Sequence, residues 1–323
     1  MKVTNIAIKD FEVNIRTRRF QIIALLFIIT SLGMIYSSKR LGISANLYET
    51  PFQMLFLSSF SNIFNYLISL SGILIGTTAI STELEKGTLR LIVSKPIHRD
   101  KVLLGKLLGG LLTLSITLSL FYTLTVVFAL VLGVPLTRTD LIKFLVTLPF
   151  SLLYGLVFLN LGVLISIFAK KSKNAILLAV FTFLFFGFLL SIIAGVVAFA
   201  VAGLPPVPNI PENVTNLSEE QLEELFLKDP AYQSWLVGMA TTAEKILYIS
   251  PNYHYQEVIR MLFGGKPQIS EVVSSLAYEE SVVEDRPISE SLSLIWQNIL
   301  ALMVMLLLPF PLAYTKFMKA DLR

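Results

Sequence analysis

STELEKGTLRLIVSKPIHRDKVLLGK, residues 81–106, stands between two long apolar runs and carries six of the chain's 26 Lys and Arg residues. So polar a segment marks where the runs on either side of it must stop. Gly87 and Pro96 bracket KGTLRLIVSKP within it. A short helix between them puts Leu89, Ile92 and Val93 on one face and Arg90 and Lys95 elsewhere. Pro96 cannot continue that helix and biases Lys95 toward extended geometry, so a new helix starts near 97–101 and enters the next apolar run. Two readings fit these residues: an amphipathic helix offered for docking, and a surface loop whose lysines snorkel to the headgroups.

The flanking runs set the class. The chain has 323 residues, 54% of them hydrophobic and 15% charged, and its mean hydropathy is +0.73. Soluble domains carry about a quarter charged residues, so this composition belongs to a membrane protein. About 20 apolar residues cross a bilayer as a helix, and six segments qualify: 20–37, 54–80, 102–132, 142–169, 174–202 and 291–314. Pro309 and Pro311 are expected to kink or end the sixth. The first 19 residues include Asp10 and Glu12, and no small-x-small site follows, so the first run reads as a retained span, not a signal peptide.

Orientation follows from the basic residues. Lys2, Lys9, Arg16, Arg18 and Arg19 precede the first span, six more lie in 81–106, Lys170, Lys171 and Lys173 follow the fourth, and Lys316, Lys319 and Arg323 follow the sixth. The opposite connections hold Lys39, Arg40, Arg138 and Lys143. Both termini and 81–106 are therefore expected in the cytoplasm, in a multi-pass cell-membrane protein embedded in lipid. Residues 1–19, with Val3, Ala7, Phe11 and Ile15 every fourth residue, read as an amphipathic helix at the inner surface. Spans one to five then occupy 20–202, an outer region 203–290, the sixth span 291–314 and a tail 315–323. The outer region has 14 acidic and 5 basic residues. It is expected to be mainly helical, with a capping box at Ser218 and Gln221 followed by Leu222, Leu225 and Phe226. Asn213 and Asn216 head glycosylation sequons there.

The second span carries a stripe. Ser58, Asn62, Asn65, Ser69, Gly72 and Gly76 fall within about 40° of one line at 100° per residue. Such a face is either close-packing glue between helices or a translocation or dimer face. Gly105 with Gly109, and Gly187 with Ser191 and Gly195, read as packing motifs. FTFLFFGF, 181–188, places five Phe in eight residues and fits a lipid-facing surface or a hydrophobic seal.

Chemistry is sparse. Cysteine is absent and the two histidines, His98 and His254, cannot build a metal site. No GxxxxGK[ST] phosphate loop occurs, so the chain does not hold a nucleotide by that device. His98, Arg99 and Asp100 are merely adjacent, and adjacency does not converge side chains on a substrate. No catalytic residue, cofactor or nucleic-acid partner is expected, and the chain reads as a non-enzyme. The charged residues cluster at the span ends, whereas ion-coupled carriers usually place an ionisable group in the membrane. Energy for uphill movement would then enter from outside the membrane.

ELEKGTLRLIVSKPIHRDKVLLGKLLG, 83–109, resembles the inner-loop motif of the ABC-2 family of ABC transporter permeases. Glu83, Glu85, Gly87, Thr88, Leu89, Ser94, Pro96, Arg99, Gly105 and Lys106 follow its order. ILYISPNYHYQEVIRMLFGG, 246–265, resembles the family's Ser-Pro stretch before the last span. The resemblance implies an all-α exporter permease that dimerises and pairs with two copies of a separate ATPase. It implies that 83–96 is a coupling helix in which Glu83 and Glu85 pair with basic residues of the ATPase and Leu89, Ile92 and Val93 anchor it. A different reading keeps the ATP drive but has the chain act as a mechanical transmitter or anchor on an outer partner, moving no solute.

Overall fold

The computed structural model describes residues 2–41, 50–57, 60–88, 98–169, 171–207, 225–226, 228–268, 270 and 286–319. Eleven helices are defined among them: α1 Val3–Ile15, α2 Arg18–Leu41, α3 Pro51–Leu57, α4 Phe60–Glu85, α5 Arg99–Leu132, α6 Arg138–Ala169, α7 Ser172–Ala202, α8 Pro230–Leu247, α9 Pro251–Leu262, α10 Ile288–Leu307 and α11 Pro309–Lys319. No strand occurs among the described residues. Six helical stretches are long and apolar enough to cross a membrane, and they coincide with the six expected spans. The chain is an all-α, multi-pass membrane protein.

Two span boundaries have clear local causes. Thr137 and Asp140 form a reciprocal cap at the start of α6: the Asp140 amide donates to Thr137 Oγ1 at 3.1 Å, and the Thr137 amide to Asp140 Oδ2 at 3.2 Å. At the sixth span, α10 ends at Leu307 and α11 begins at Pro309. Leu308 keeps helical angles, φ −57° and ψ −46°, so the prolines kink the span without breaking it. Ahead of α4, residues 51–57 are helical as α3, and 58–59 lie outside the described residues. Phe56 stacks on Phe263 with ring centroids 4.2 Å apart, Phe52 meets Phe144 edge-on, and Gln53 donates to the Phe263 carbonyl at 2.9 Å. The apolar residues of α3 thus join an aromatic cluster.

The core is built around α6, which packs against α4, α5, α7, α9, α10 and α11. Its closest partner is α4, and matched contacts rise together in residue number, so the two run parallel, as alternate spans must. A Cβ added at Gly72 would lie 2.3 Å from the Gly155 carbonyl oxygen, at Gly76 2.1 Å from that of Leu159, and at Gly162 2.4 Å from that of Ile73. The two backbones therefore touch over several turns, and only glycine fits at these crossings.

α7 is the least covered span, with Leu177, Phe181, Ile192 and Val196 all exposed. Of its phenylalanines, Phe183 and Phe188 both meet Tyr66 and Phe186 meets Phe158, while Phe181 is the most exposed. A π-helical turn at Phe185–Leu189 interrupts the helix. Such a turn shifts the hydrogen-bond ladder, and the Tyr66 hydroxyl donates to the Gly187 carbonyl there at 3.4 Å. Within the Gly187/Ser191/Gly195 repeat only Gly187 meets another helix among the described residues, at the Tyr66 ring of α4; Gly195 has nothing within 4 Å and Ser191 is exposed.

Within 203–290 the described residues are mainly helical, and they are not an appendage. α8 lies along the end of α7, with Trp235 Nε1 donating to the Gly203 carbonyl at 3.1 Å. α9 is buried along nearly its whole length among α3, α4, α6 and α10. Tyr255 bonds Ser151 at 2.5 Å and the Tyr154 hydroxyl donates to Asn252 Oδ1 at 3.3 Å. Those partners lie roughly 20 and 24 Å along α6 from its start, so α9 sits inside the bundle. His254 is a packed histidine, its ring nitrogens 2.7 Å from Asn298 Oδ1 and 2.9 Å from the Tyr248 carbonyl. The Ser218–Gln221 cap, Leu222 and both sequons lie outside the described residues.

Candidate functional site

The polar loop between α4 and α5 is held at both ends. α4 stops at Glu85 because Gly87 takes the left-handed region, φ +70°, which side chains resist. The Gly87 amide donates to the Leu84 carbonyl, and the Thr88 hydroxyl lies 3.4 Å from the Glu83 carbonyl. Glu85 is exposed and its Oε2 accepts from the Ser172 amide at 3.1 Å, a carboxylate at the positive end of α7. On the far side of the loop, Arg99 donates to the Met318 carbonyl at 3.0 Å, joining α5 to α11. Leu89, Ile92, Val93 and Pro96 lie outside the described residues.

Glu83 points inward. Lys106 Nζ on α5 donates to Glu83 Oε1 at 2.6 Å and to Asp10 Oδ1 on α1 at 2.5 Å. Lys106 and Asp10 are buried, and Glu83 is mostly so. Burial pushes the Asp10 carboxyl above its ordinary range against the pull of Lys106, which lowers it. Three helices are thus joined by one ammonium group. The sequence placed Glu83 as a partner for the ATPase and Lys106 among the orienting cations; the structure pairs them with each other.

Asp10 is the residue the sequence reading passed over. The four-residue stripe Val3, Ala7, Phe11, Ile15 drifts about 40° per step. The face α1 buries is Ile6, Ala7 and Asp10, in which Asp10 stands three residues after Ala7 and four after Ile6, so the helical period puts the carboxylate on the buried side. That spacing was the available signal. α1 runs beside α5, where a Cβ on Gly105 would meet Ile6 at 2.7 Å and one on Gly109 would meet Asp10 Cβ at 2.8 Å. The Gly105/Gly109 motif is therefore a packing motif, and its partner is the N-terminal helix.

The stripe on α4 is mostly consumed inside the chain. Gly72 and Gly76 abut α6 as above, and Ser69, 2% exposed, donates to its own helix. Asn62 Oδ1 accepts from Gln256 Nε2 of α9 at 2.7 Å. Asn65 is 1% exposed and both its amide atoms lack a hydrogen-bond partner among the described residues. Ser58 lies outside the described residues. A buried hydroxyl network extends the theme: Tyr122 bonds Thr147 and Ser151 at 2.6 and 2.8 Å, and Ser151 bonds Tyr255. Sequence reasoning missed this network because its members sit on three separate helices, α5, α6 and α9.

Glu257 on α9 is 3% exposed, and its Oε1 accepts from the Gln268 amide at 2.8 Å. Burial raises its carboxyl above the ordinary 4.5, opposed by the Gln268 bond and Arg260, with Glu244 adding to the rise. The folded protein then holds this proton more tightly than the unfolded one. Its contribution to stability is therefore greatest below 4.5 and falls as pH rises through the folded value. Glu257→Gln keeps the acceptor and removes the charge. Melting curves should show the variant gaining over wild type at pH 7.5 and matching it near pH 4.5; a pH-independent difference would refute the assignment.

The sequence profile described as "ABC-2 family transporter protein" matches residues 4–322. A protein named "Probable ABC transporter permease protein NosY" from Pseudomonas aeruginosa is 30% identical over 176 residues, 54% of this chain and 62% of the relative. One of the same name from Stutzerimonas stutzeri is 30% identical over 115 residues, 36% of this chain and 41% of the relative. The chain thus spans less than two thirds of the length of either relative. With six helical stretches long and apolar enough to span a membrane and a profile match over nearly its whole length, the chain belongs to the ABC-2 family of transporter proteins.

Proposed function

We propose that the chain is the membrane-spanning permease subunit of an ATP-driven exporter, working as a homodimer with two copies of a separate ATPase subunit. The observation that carries this reading is the anchoring of the 81–106 loop. Glu83, Glu85 and Arg99 tie its ends to α5, α7 and α11. Force applied to 89–97 by an ATPase would reach four helices at once and tilt them as rigid bodies. In this reading Leu89, Ile92 and Val93 seat in the ATPase groove, Gly87, Thr88 and Pro96 shape the helix between them, and Glu85 supplies an outward charge. Both termini lie in the cytoplasm, and the chain itself performs no catalysis. Co-expression with its partner ATPase should give a stable complex whose ATP turnover falls when Ile92→Asp is introduced. A permease that purifies alone, or turnover indifferent to Ile92→Asp, would overturn the reading.

A second reading, mechanical transmission to an outer partner without solute movement, is favoured by α9, which wedges among α3, α4, α6 and α10 and so links 203–290 to the spans. Removing 208–224 separates the two. Transport that survives the deletion supports the exporter, whereas ATP turnover that survives with loss only of the outer partner supports the transmitter.

A further inference from the structure

A cavity of about 750 Å³ opens between α1, the start of α2, the end of α4 and the start of α5. Its lining is divided. Lys9, Arg18, Arg19 and Lys86 stand at one end, all four exposed and without an ion pair among the described residues. Ile23, Leu74 and Ile75 line the other end, within the spans. Arg18 and Arg19 open the first span, and Ile23 lies roughly 7 Å further along its axis. Lys86 follows the second span, and Ile75 lies roughly 16 Å back along it. The cationic end is therefore at headgroup level, and the apolar end reaches into the acyl layer. Lys106, the other cation of the lining, already faces two carboxylates, Asp10 and Glu83, and Glu85 lies within electrostatic reach of Lys86. Four cations against these still leave an excess of positive charge, and it stands at the mouth.

We propose that this cavity binds an anionic phospholipid from the leaflet on the N-terminal side, its phosphate against Lys9, Arg18, Arg19 and Lys86 and one acyl chain along Ile23, Leu74 and Ile75. A free anion would use the mouth and leave the apolar half unfilled; a neutral lipid would use the apolar half and leave the excess positive charge uncompensated. The occupied cavity would join α1, α2 and α4 beside the polar loop. The inference goes beyond the permease reading and stands without it, since its test is binding and needs no ATPase.

The full chain, reconstituted in nanodiscs of mixed phosphatidylglycerol and phosphatidylcholine, is released into detergent and weighed with its retained lipid by native mass spectrometry. Wild type should retain phosphatidylglycerol selectively, and excess inorganic phosphate should not displace it. The triple variant Lys9→Gln, Arg19→Gln, Lys86→Gln should lose affinity on the order of 100-fold. Lys101→Gln, Lys173→Gln, Lys319→Gln, which removes as much charge outside the cavity, should match wild type. Thr78→Phe, which fills the cavity from α4 and leaves every cation in place, should also lose the lipid. Equal loss in both triple variants, unselective retention of phosphatidylcholine, full displacement by phosphate, or undiminished retention by Thr78→Phe would each overturn the proposal.

Discussion

Gly76→Ala should destabilise the protein by about 1–3 kcal/mol, and Gly76→Leu should prevent recovery of a monodisperse species. The new Cβ would stand 2.1 Å from the Leu159 carbonyl oxygen and 2.8 Å from the Val163 amide nitrogen. Both obstacles are backbone, so no side chain can swing aside, and the clash is relieved only by moving α4 off α6. The neighbouring contact makes that movement costly. Ser166 Oγ accepts from the Ile80 and Ser81 amides at 3.0 and 2.7 Å, one turn beyond Gly76. Gly195→Ala is the control: nothing lies within 4 Å of it, and alanine is favoured in a helix by about 1 kcal/mol. Thermal unfolding followed by size-exclusion in detergent reads both variants. If Gly76→Ala melts with wild type, α4 and α6 do not pack as described.

Lys106→Met should cost about 3–5 kcal/mol. The substitution preserves length and removes the charge that holds Asp10 and Glu83 together. Two buried carboxylates would then face each other without a cation, on α1 and α4, both of which Lys106 ties to α5 by an ion pair. The loss should appear first as release of α1, read by proteolysis at Lys9, and should shrink at acid pH, where Asp10 takes up a proton. Adding Asp10→Asn to Lys106→Met should restore part of the stability by removing one stranded charge. The idea fails if Lys106→Met protects Lys9 as well as wild type does, or if the double variant is no better than the single.

Much of the architecture was legible in the chain because membrane insertion is read along one dimension. Span count and span ends follow from apolar length and from where the charges sit. Gly87 marked the end of α4, and Pro309 the place where α10 gives way to α11, because their backbone chemistry acts locally. The 54–57 end of the second apolar run kept its partners hidden, because an apolar run does not say whether it faces lipid or other aromatics. Phe52 and Phe56 face Phe144 and Phe263, which lie far away in sequence. The stripe on α4 was visible, but its partner was not.

By itself, then, the amino-acid order determined six apolar helical spans, a polar loop of particular residues between the second and third, and membership of the ABC-2 family. Tertiary structure alone decided what each polar group meets. It turned Glu83 inward to Lys106, brought Asp10 beside them, sank α9 into the bundle and spent Gly72 and Gly76 on α6. The reason is physical: hydrophobicity and backbone preference are properties of a residue and its neighbours in the chain. A salt bridge or a glycine contact belongs to two helices at once, and its second member is chosen only by packing.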